Sequence, residues 1–274
     1  APFAAATFNR FADFGLLANL LTVPVMGAVV MPAGAVAVLL APFGLAGLAL
    51  WVMEWGVRWI LWVAHWIAGL DGAVTAIPEA APLALPLIAV GGLWLAAWPG
   101  RARLAGAVVV ALGLVLWPSG GRPDLLIAGD GRLIGLMGPE GRALSLAKGG
   151  GFAAENWLEN DGDLVSQEDA AARSGFSGDA GARSFELGGL TWLALSGKGA
   201  SDRLATACAE ADVVVVPLRV EALDQARCTI IDQTRLAQTG ALAVRIGPDG
   251  RLTVHATRER PRLWVGKPMP ADAI

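Results

Sequence analysis

Four groups of residues carry types and spacings that could do chemistry. Glu54 and Arg58 stand four residues apart in an apolar, tryptophan-rich run. On a helix such a pair shares one face; it can line an aqueous entrance, or it is a solvated ion pair worth a few tenths of a kcal/mol. Asn19 is the one amide in the uncharged stretch Phe14 to Met53, and Pro24 follows it closely. Proline removes a helical hydrogen bond, and in a bilayer the freed backbone groups need a neighbouring helix or a cavity. A lone asparagine there serves as a packing contact as readily as a ligand. Cys208 and Cys228 can pair in an oxidising compartment, closing a loop of about 20 residues for about 3 kcal/mol; in the cytoplasm the same spacing means two buried thiols. The spacing is unlike a thiolate metal site. Gly129-Asp130-Gly131 could be a catalytic loop after a strand, but Asp-Gly between short strands is first of all a hairpin turn.

Hydrolytic metal chemistry needs His and Asp ligands converging at close spacing. The chain has two histidines, His65 and His255, in different halves. No G-x-S-x-G elbow, Walker A loop or dinucleotide fingerprint is present. These residues lead to no metal and no cofactor.

The elements that must position these residues divide by composition. Residues 1–118 hold eight charged side chains that cancel, and residues 119–274 hold 17 Lys/Arg and 20 Asp/Glu, so the net charge of −3 lies in the second part. A mean hydropathy of +0.54 is high for a soluble protein, and the first part supplies it. The expected fold class is an α-helical membrane region, residues 1–118, followed by a small α+β, β-rich soluble domain, residues 119–274. That domain has no basic excess to mark a nucleic-acid footprint.

Phe14 to Met53, punctuated by Pro24, Pro32 and Pro42, is long enough for two passes or one broken helix. Near 51–70, tryptophans at 51, 55, 59, 62 and 66 fall in one narrow helical sector. Glu54, Arg58 and His65 fall beside them, and Met53, Val57, Ile60, Ala64 and Ile67 lie opposite. Such a helix can lie in the membrane interface. Leu83 to Trp117 reads as a hairpin about Arg101-Ala102-Arg103. Its arms, Ala80 to Gly100 and Leu104 to Gly121, are uncharged over 21 and 18 residues, enough for each to span. Short Arg-bearing loops stay cytoplasmic, so Arg101 and Arg103 send Pro118 and all that follows to the outer side.

Beyond the linker Ser119 to Pro123, apolar runs separated by Gly-Asp-Gly and Pro-Glu-Gly predict a β-meander. A helix over Phe152–Asn160 follows, then a mobile acidic, Gly-rich loop over 161–182. Strands are expected at Arg183–Leu187 and Leu190–Leu195, and a helix over Ser201–Ala211 capped by Ser201 or Asp202. Further strands are expected at Val213–Pro217 and Thr229–Asp232, then a hairpin joining Leu242–Ile246 to Arg251–His255. A basic tail carries Arg258, Arg260, Arg262 and Lys267. The opening Ala1-Pro2-Phe3 has no secretory-signal character, and the chain reads as the C-terminal part of a longer protein.

Phe11 to Pro32, FADFGLLANLLTVPVMGAVVMP, resembles the closing helices of the competence domain in ComEC-type DNA-uptake proteins, where an NLL.VP segment, here Asn19 to Pro24, is typical. The Trp/Leu-rich segment around Glu54 and the terminal hairpin fit the same pattern. PDLLIAGDGRLIGLMG, AAENWLENDGD, and CAEADVVVV leading to CTIID resemble the C-terminal domain of alphaproteobacterial members. The resemblance implies a multi-pass bacterial inner-membrane channel that admits one strand of transforming DNA. It also implies a periplasmic domain related to metallo-β-lactamase-type hydrolases. The HxHxDH ligand motif of that fold is missing here, so the domain is expected to be catalytically degenerate and the chain not an enzyme. Implied partners are single-stranded DNA through the full-length channel, the lipid bilayer, upstream helices of the same protein and other competence proteins. A membrane-anchored periplasmic metal-dependent nuclease and a purely structural anchor are the alternatives.

Overall fold

The computed structural model describes residues 2–197, 199–220 and 228–258. Its contacts divide the chain into two units, Ala1–Ile77 and Pro78–Ile274. The break in compactness therefore precedes the hairpin, whereas the break in composition follows it.

The first unit holds α1 (Pro2–Phe8), β1 (Arg10–Ala12), α2 (Gly15–Val25), a π-helical turn (Met26–Val30), α3 (Met31–Leu40), α4 (Ala46–Ala68) and β2 (Val74–Ala76). Gly15–Phe43 forms one 29-residue apolar helix broken internally, the second of the two expectations for Phe14 to Met53. Pro24 cannot donate to the carbonyl one turn back. Just past it the ladder slips: Met31 N–H donates to Met26 O, five residues behind. Pro42 closes the helix in a 3-10 turn, and Gly44, at φ +71°, turns the chain into α4.

α4 runs antiparallel to the middle of the broken helix. Met53 lies at Gly34, and Gly56 sits so close to Val30 that a Cβ there would come within 2.7 Å of its side chain. Near the far end, Trp59 Nε1–H donates to Leu21 O at 3.1 Å, satisfying a carbonyl beside the proline break. α1 leads into β1, which pairs antiparallel with β2, a two-stranded ribbon that nothing in the periodicity announced.

The second unit begins with α5 (Ala84–Ala97) and α6 (Leu104–Leu116), antiparallel across a 3-10 turn at Arg101–Arg103. The arms touch through glycine. A Cβ on Gly91 would meet Gly106 O at 2.8 Å, and one on Gly113 would meet Ala84 O at 2.9 Å. Trp94 Nε1–H donates to Ala102 O across the turn and stacks on Trp98 at 4.2 Å. The second arm, Arg101–Ser119, has the length and apolarity of a crossing helix. The first is shorter than expected, 14 residues or about 21 Å. Pro99 disfavours a helical conformation at Trp98, which is extended (φ −93°, ψ 129°).

The remainder is β3 (Leu125–Ile127), β4 (Ile134–Gly138), β5 (Gly141–Leu144), α7 (Gly151–Asp161), α8 (Gln167–Ala172), β6 (Ser177–Asp179), β7 (Ala182–Leu187), β8 (Leu190–Leu195), α9 (Ala200–Glu210), β9 (Val213–Val215), β10 (Thr229–Ile231), α10 (Gln233–Thr239), β11 (Leu242–Ile246) and β12 (Leu252–Ala256). Two five-stranded sheets form, ordered β12-β11-β3-β4-β5 and β10-β9-β8-β7-β6. The first is antiparallel throughout; in the second, β9 runs parallel to both neighbours.

Leu125, Ile127 and Val244 from one sheet pack against Phe185, Trp192 and Val215 from the other. α9 covers the outer face of the second sheet through Leu204 and Ala207. α7 and α8 cover the first through Ala154, Leu158 and Ala170. The order of layers is helix, sheet, sheet, helix.

Residues 161–182, expected as a mobile loop, instead contain α8 and β6. The signal was local: Ser166 Oγ accepts from Asp169 N–H at 3.1 Å and donates to Asp169 Oδ2, a reciprocal N-cap. α9 starts at Ala200 behind Gly199, so Ser201 and Asp202 lie inside the helix instead of capping it. α10 was not foreseen, although Asp232 heads it and Gly240 ends it. Arg260, Arg262 and Lys267 of the basic tail lie outside the described residues.

Asp232 gives a direct test of local stability. Its Oδ1 accepts from Arg235 N–H at 2.8 Å and its Oδ2 from Val220 N–H at 3.2 Å. Partial burial pushes the carboxyl up, but these donors and those of Thr234 outweigh it and hold the group below the ordinary aspartate value of 3.8. A carboxylate held low in the folded state stabilises above the unfolded value and loses that contribution as pH falls through the folded one. Asp232→Ala is expected to lower amide protection across Gln233–Thr239 by about 1 kcal/mol at neutral pH. Hydrogen exchange should show the gap closing as the pH drops below 3.8.

Candidate functional site

In the first unit, α2 places Asn19 on an exposed face lining a cavity of about 610 Å³ with Phe8, Arg10, Phe11 and Asp13. Asp13 is held by the paired strand β2, accepting from Thr75 Oγ1 at 2.7 Å. Pro24 lies a turn and more further along, outside the cavity lining, and leads into the π-helical turn.

Glu54 and Arg58 meet at 2.6 Å on α4, with side chains 53% and 65% exposed. They sit beside the tryptophan sector, and the Arg58 guanidinium lies 5.9 Å from the Trp55 ring centre. All five tryptophans of the sector are exposed. Trp62 stacks with Trp66 at 6.1 Å and Trp59 tilts against Trp62 at 5.4 Å. The face buried against the broken helix is Ala49, Gly56, Val63 and Ile67; of the face expected opposite the tryptophans only Ile67 is buried, and Val57 and Ala64 are exposed. α4 extends over 23 residues, long and apolar enough to cross a membrane. His65 Nδ1 lies 2.7 Å from Leu61 O, one turn back on the same helix.

In the second unit, Arg101 and Arg103 are exposed in the turn between the arms. The base of the hairpin joins the sheet sandwich through an ion network absent from the sequence reading. Arg142, fully buried on β5, meets Asp161 through Nε at 2.5 Å and Nη2 at 3.2 Å. Its remaining donors reach Gly135 O and Pro123 O. Asp161 also accepts from Arg122 Nε at 2.8 Å, and Arg122 Nη1 reaches Glu79 at 2.9 Å. Trp117 Nε1–H donates to Pro78 O, and Glu79 N–H donates to Asn160 O. The chain entering the hairpin and the chain leaving it are thus tied to the C-terminal end of α7. An arginine opening an apolar strand, Arg142-Ala-Leu-Ser-Leu, was the available signal.

Cys208 on α9 and Cys228 before β10 are joined by a disulfide, with Cα atoms 5.1 Å apart. Asp130 forms the turn that its sequence suggested: its Oδ1 accepts from Arg132 N–H at 3.1 Å, and Gly131 takes φ +70°. His255 is exposed on β12. Among the described residues no three His, Cys, Asp or Glu side chains come together as a metal cluster.

Among the described residues, three helices long and apolar enough to cross a membrane precede a β-sheet-rich region, an arrangement consistent with a membrane protein. Residues 1–102 match the family model described as Competence protein. No curated protein and no solved structure matches the chain.

Proposed function

We infer that the chain is part of a ComEC-type inner-membrane channel for transforming single-stranded DNA, with an extracytoplasmic, catalytically degenerate hydrolase-like domain. The match of residues 1–102 to the competence family carries this reading. Arg101 and Arg103 in a short turn favour a cytoplasmic placement of that turn, and the Cys208–Cys228 disulfide suits an oxidising compartment for the domain beyond it. The double sheet sandwiched between helices suits a hydrolase-like scaffold. The chain lacks the HxHxDH motif, so the domain's role in this reading is to fold on the hairpin and not to cut DNA. The channel works with upstream helices of the same protein, with other competence proteins and with the bilayer.

Deleting the gene segment for residues 119–274 in the native host, with insertion of residues 1–118 verified by blotting, is expected to abolish transformation and uptake of labelled DNA. Undiminished uptake would remove the domain from the pathway. EDTA-sensitive cleavage of single strands by the purified chain would replace the degenerate reading with that of an anchored nuclease.

A further inference from the structure

The geometry points to the exposed face of α4, Trp51, Trp55, Trp62 and Trp66 flanked by Glu54 and Arg58, as a stacking surface for the bases of single-stranded nucleic acid. This rests on the DNA-uptake reading and assigns to it a surface and a mode of contact.

The first step is depth. α4 packs antiparallel on the middle of the broken helix, from Gly34 opposite Met53 to Leu21 opposite Trp59. The two helices therefore share an orientation, and if one crosses a bilayer so does the other. The Glu54–Arg58 pair then lies within a turn of the middle of Ala46–Ala68.

The second step is what can cover that face. An arginine at the centre of a spanning helix costs about 2.5–3.5 kcal/mol against lipid, and an apolar helix laid over an exposed ion pair fares no better. The occupant must be hydrated or polar. Interfacial tryptophans collect at the two ends of a spanning helix, yet these recur at every turn through its middle, about 4.5–6 Å apart along the axis. Trp51 and Trp55 are 61% and 59% exposed and meet edge to face with ring centres 6.3 Å apart.

The third step is chemistry. A surface that offers indole rings at regular intervals beside an ion-paired guanidinium matches a polymer with flat bases and a hydrated backbone. Stacking is sequence-tolerant because every base has a π-face, and Arg58, paired with Glu54, sets a cation–π contact beside Trp55. Trp59 is excluded from the platform's test residues, because its indole N–H is committed to Leu21 O.

The test uses the full chain in lipid nanodiscs and follows tryptophan fluorescence. Oligothymidylate is expected to quench it saturably, while inorganic polyphosphate, which has charge but no bases, does not. Trp55→Leu/Trp62→Leu is expected to weaken oligothymidylate binding about tenfold or more. Trp55→Phe/Trp62→Phe, which keeps the rings, is expected to retain it. Photo-crosslinking with a halogenated-uracil strand should map to α4. Unchanged binding by the leucine variant, equal loss in both variants, or equal quenching by polyphosphate overturns the proposal. So does quenching by acyl-brominated lipid in place of the oligonucleotide, which would make the face lipid-facing. None of these outcomes touches the host uptake assay, so the stacking surface can fail while the uptake reading stands.

Discussion

Asp161→Asn is expected to destabilise the second unit by about 3–5 kcal/mol. The substitution keeps the shape of the side chain and removes its charge. Arg142, with no exposed side-chain surface, then faces only neutral acceptors, the amide oxygen and the carbonyls of Gly135 and Pro123. Breaking a buried pair from one side is costly because the remaining ion has neither water nor partner. Glu79→Gln is the internal comparison. Glu79 contacts the same network through Arg122, but its side chain is 62% exposed, so its loss should cost under about 1 kcal/mol. Denaturant titration of the detergent-solubilised chain, with sheet signal as the readout, checks both; comparable losses at the two positions would show that burial is not what makes Asp161 matter.

The second large effect is expected at Gly106→Leu. A Cβ there would lie 2.6 Å from Gly91 O and 2.9 Å from Leu95 N, both backbone atoms that cannot swing aside. The arms must separate, and arms in a bilayer associate through close van der Waals packing that a gap removes. We expect a loss of about 3 kcal/mol in resistance to SDS and faster tryptic cleavage after Arg101 and Arg103 as the turn loosens. Gly92→Leu is the matched control, since a side chain there meets nothing within 4 Å. Cleavage rates unchanged by Gly106→Leu would mean that the glycines are not what holds the hairpin closed.

The elements legible in the sequence are those written in local chemistry. The hairpin over Leu83 to Trp117 is read from two uncharged runs around Arg101 and Arg103. The β-turn at Asp130 and the β11–β12 hairpin are read from Asp-Gly signals between apolar runs. The Cys208–Cys228 pair could only be posed as an alternative, because pairing depends on compartment as well as on spacing.

What was not legible depends on partners distant in sequence. Arg142 and Asp161 are ordinary charged residues until the fold buries one and points the other at it. The β1–β2 ribbon joins segments more than sixty residues apart by sequence number. α8 and α10 were missed for a different reason. Both are short, six and seven residues, with too few apolar positions to show a period, and only their caps at Ser166 and Asp232 mark them.

The shortness of α5 has a consequence for the lipid around it. Its helix covers about 21 Å, while a bilayer core is about 30 Å thick. Hydrophobic mismatch costs a fraction of a kcal/mol per Å and is relieved by local thinning or by neighbouring protein. Where this hairpin enters a bilayer, its shorter arm therefore calls for thinned lipid or a covering protein between the Trp94–Trp98 stack at one end and Trp117 at the other.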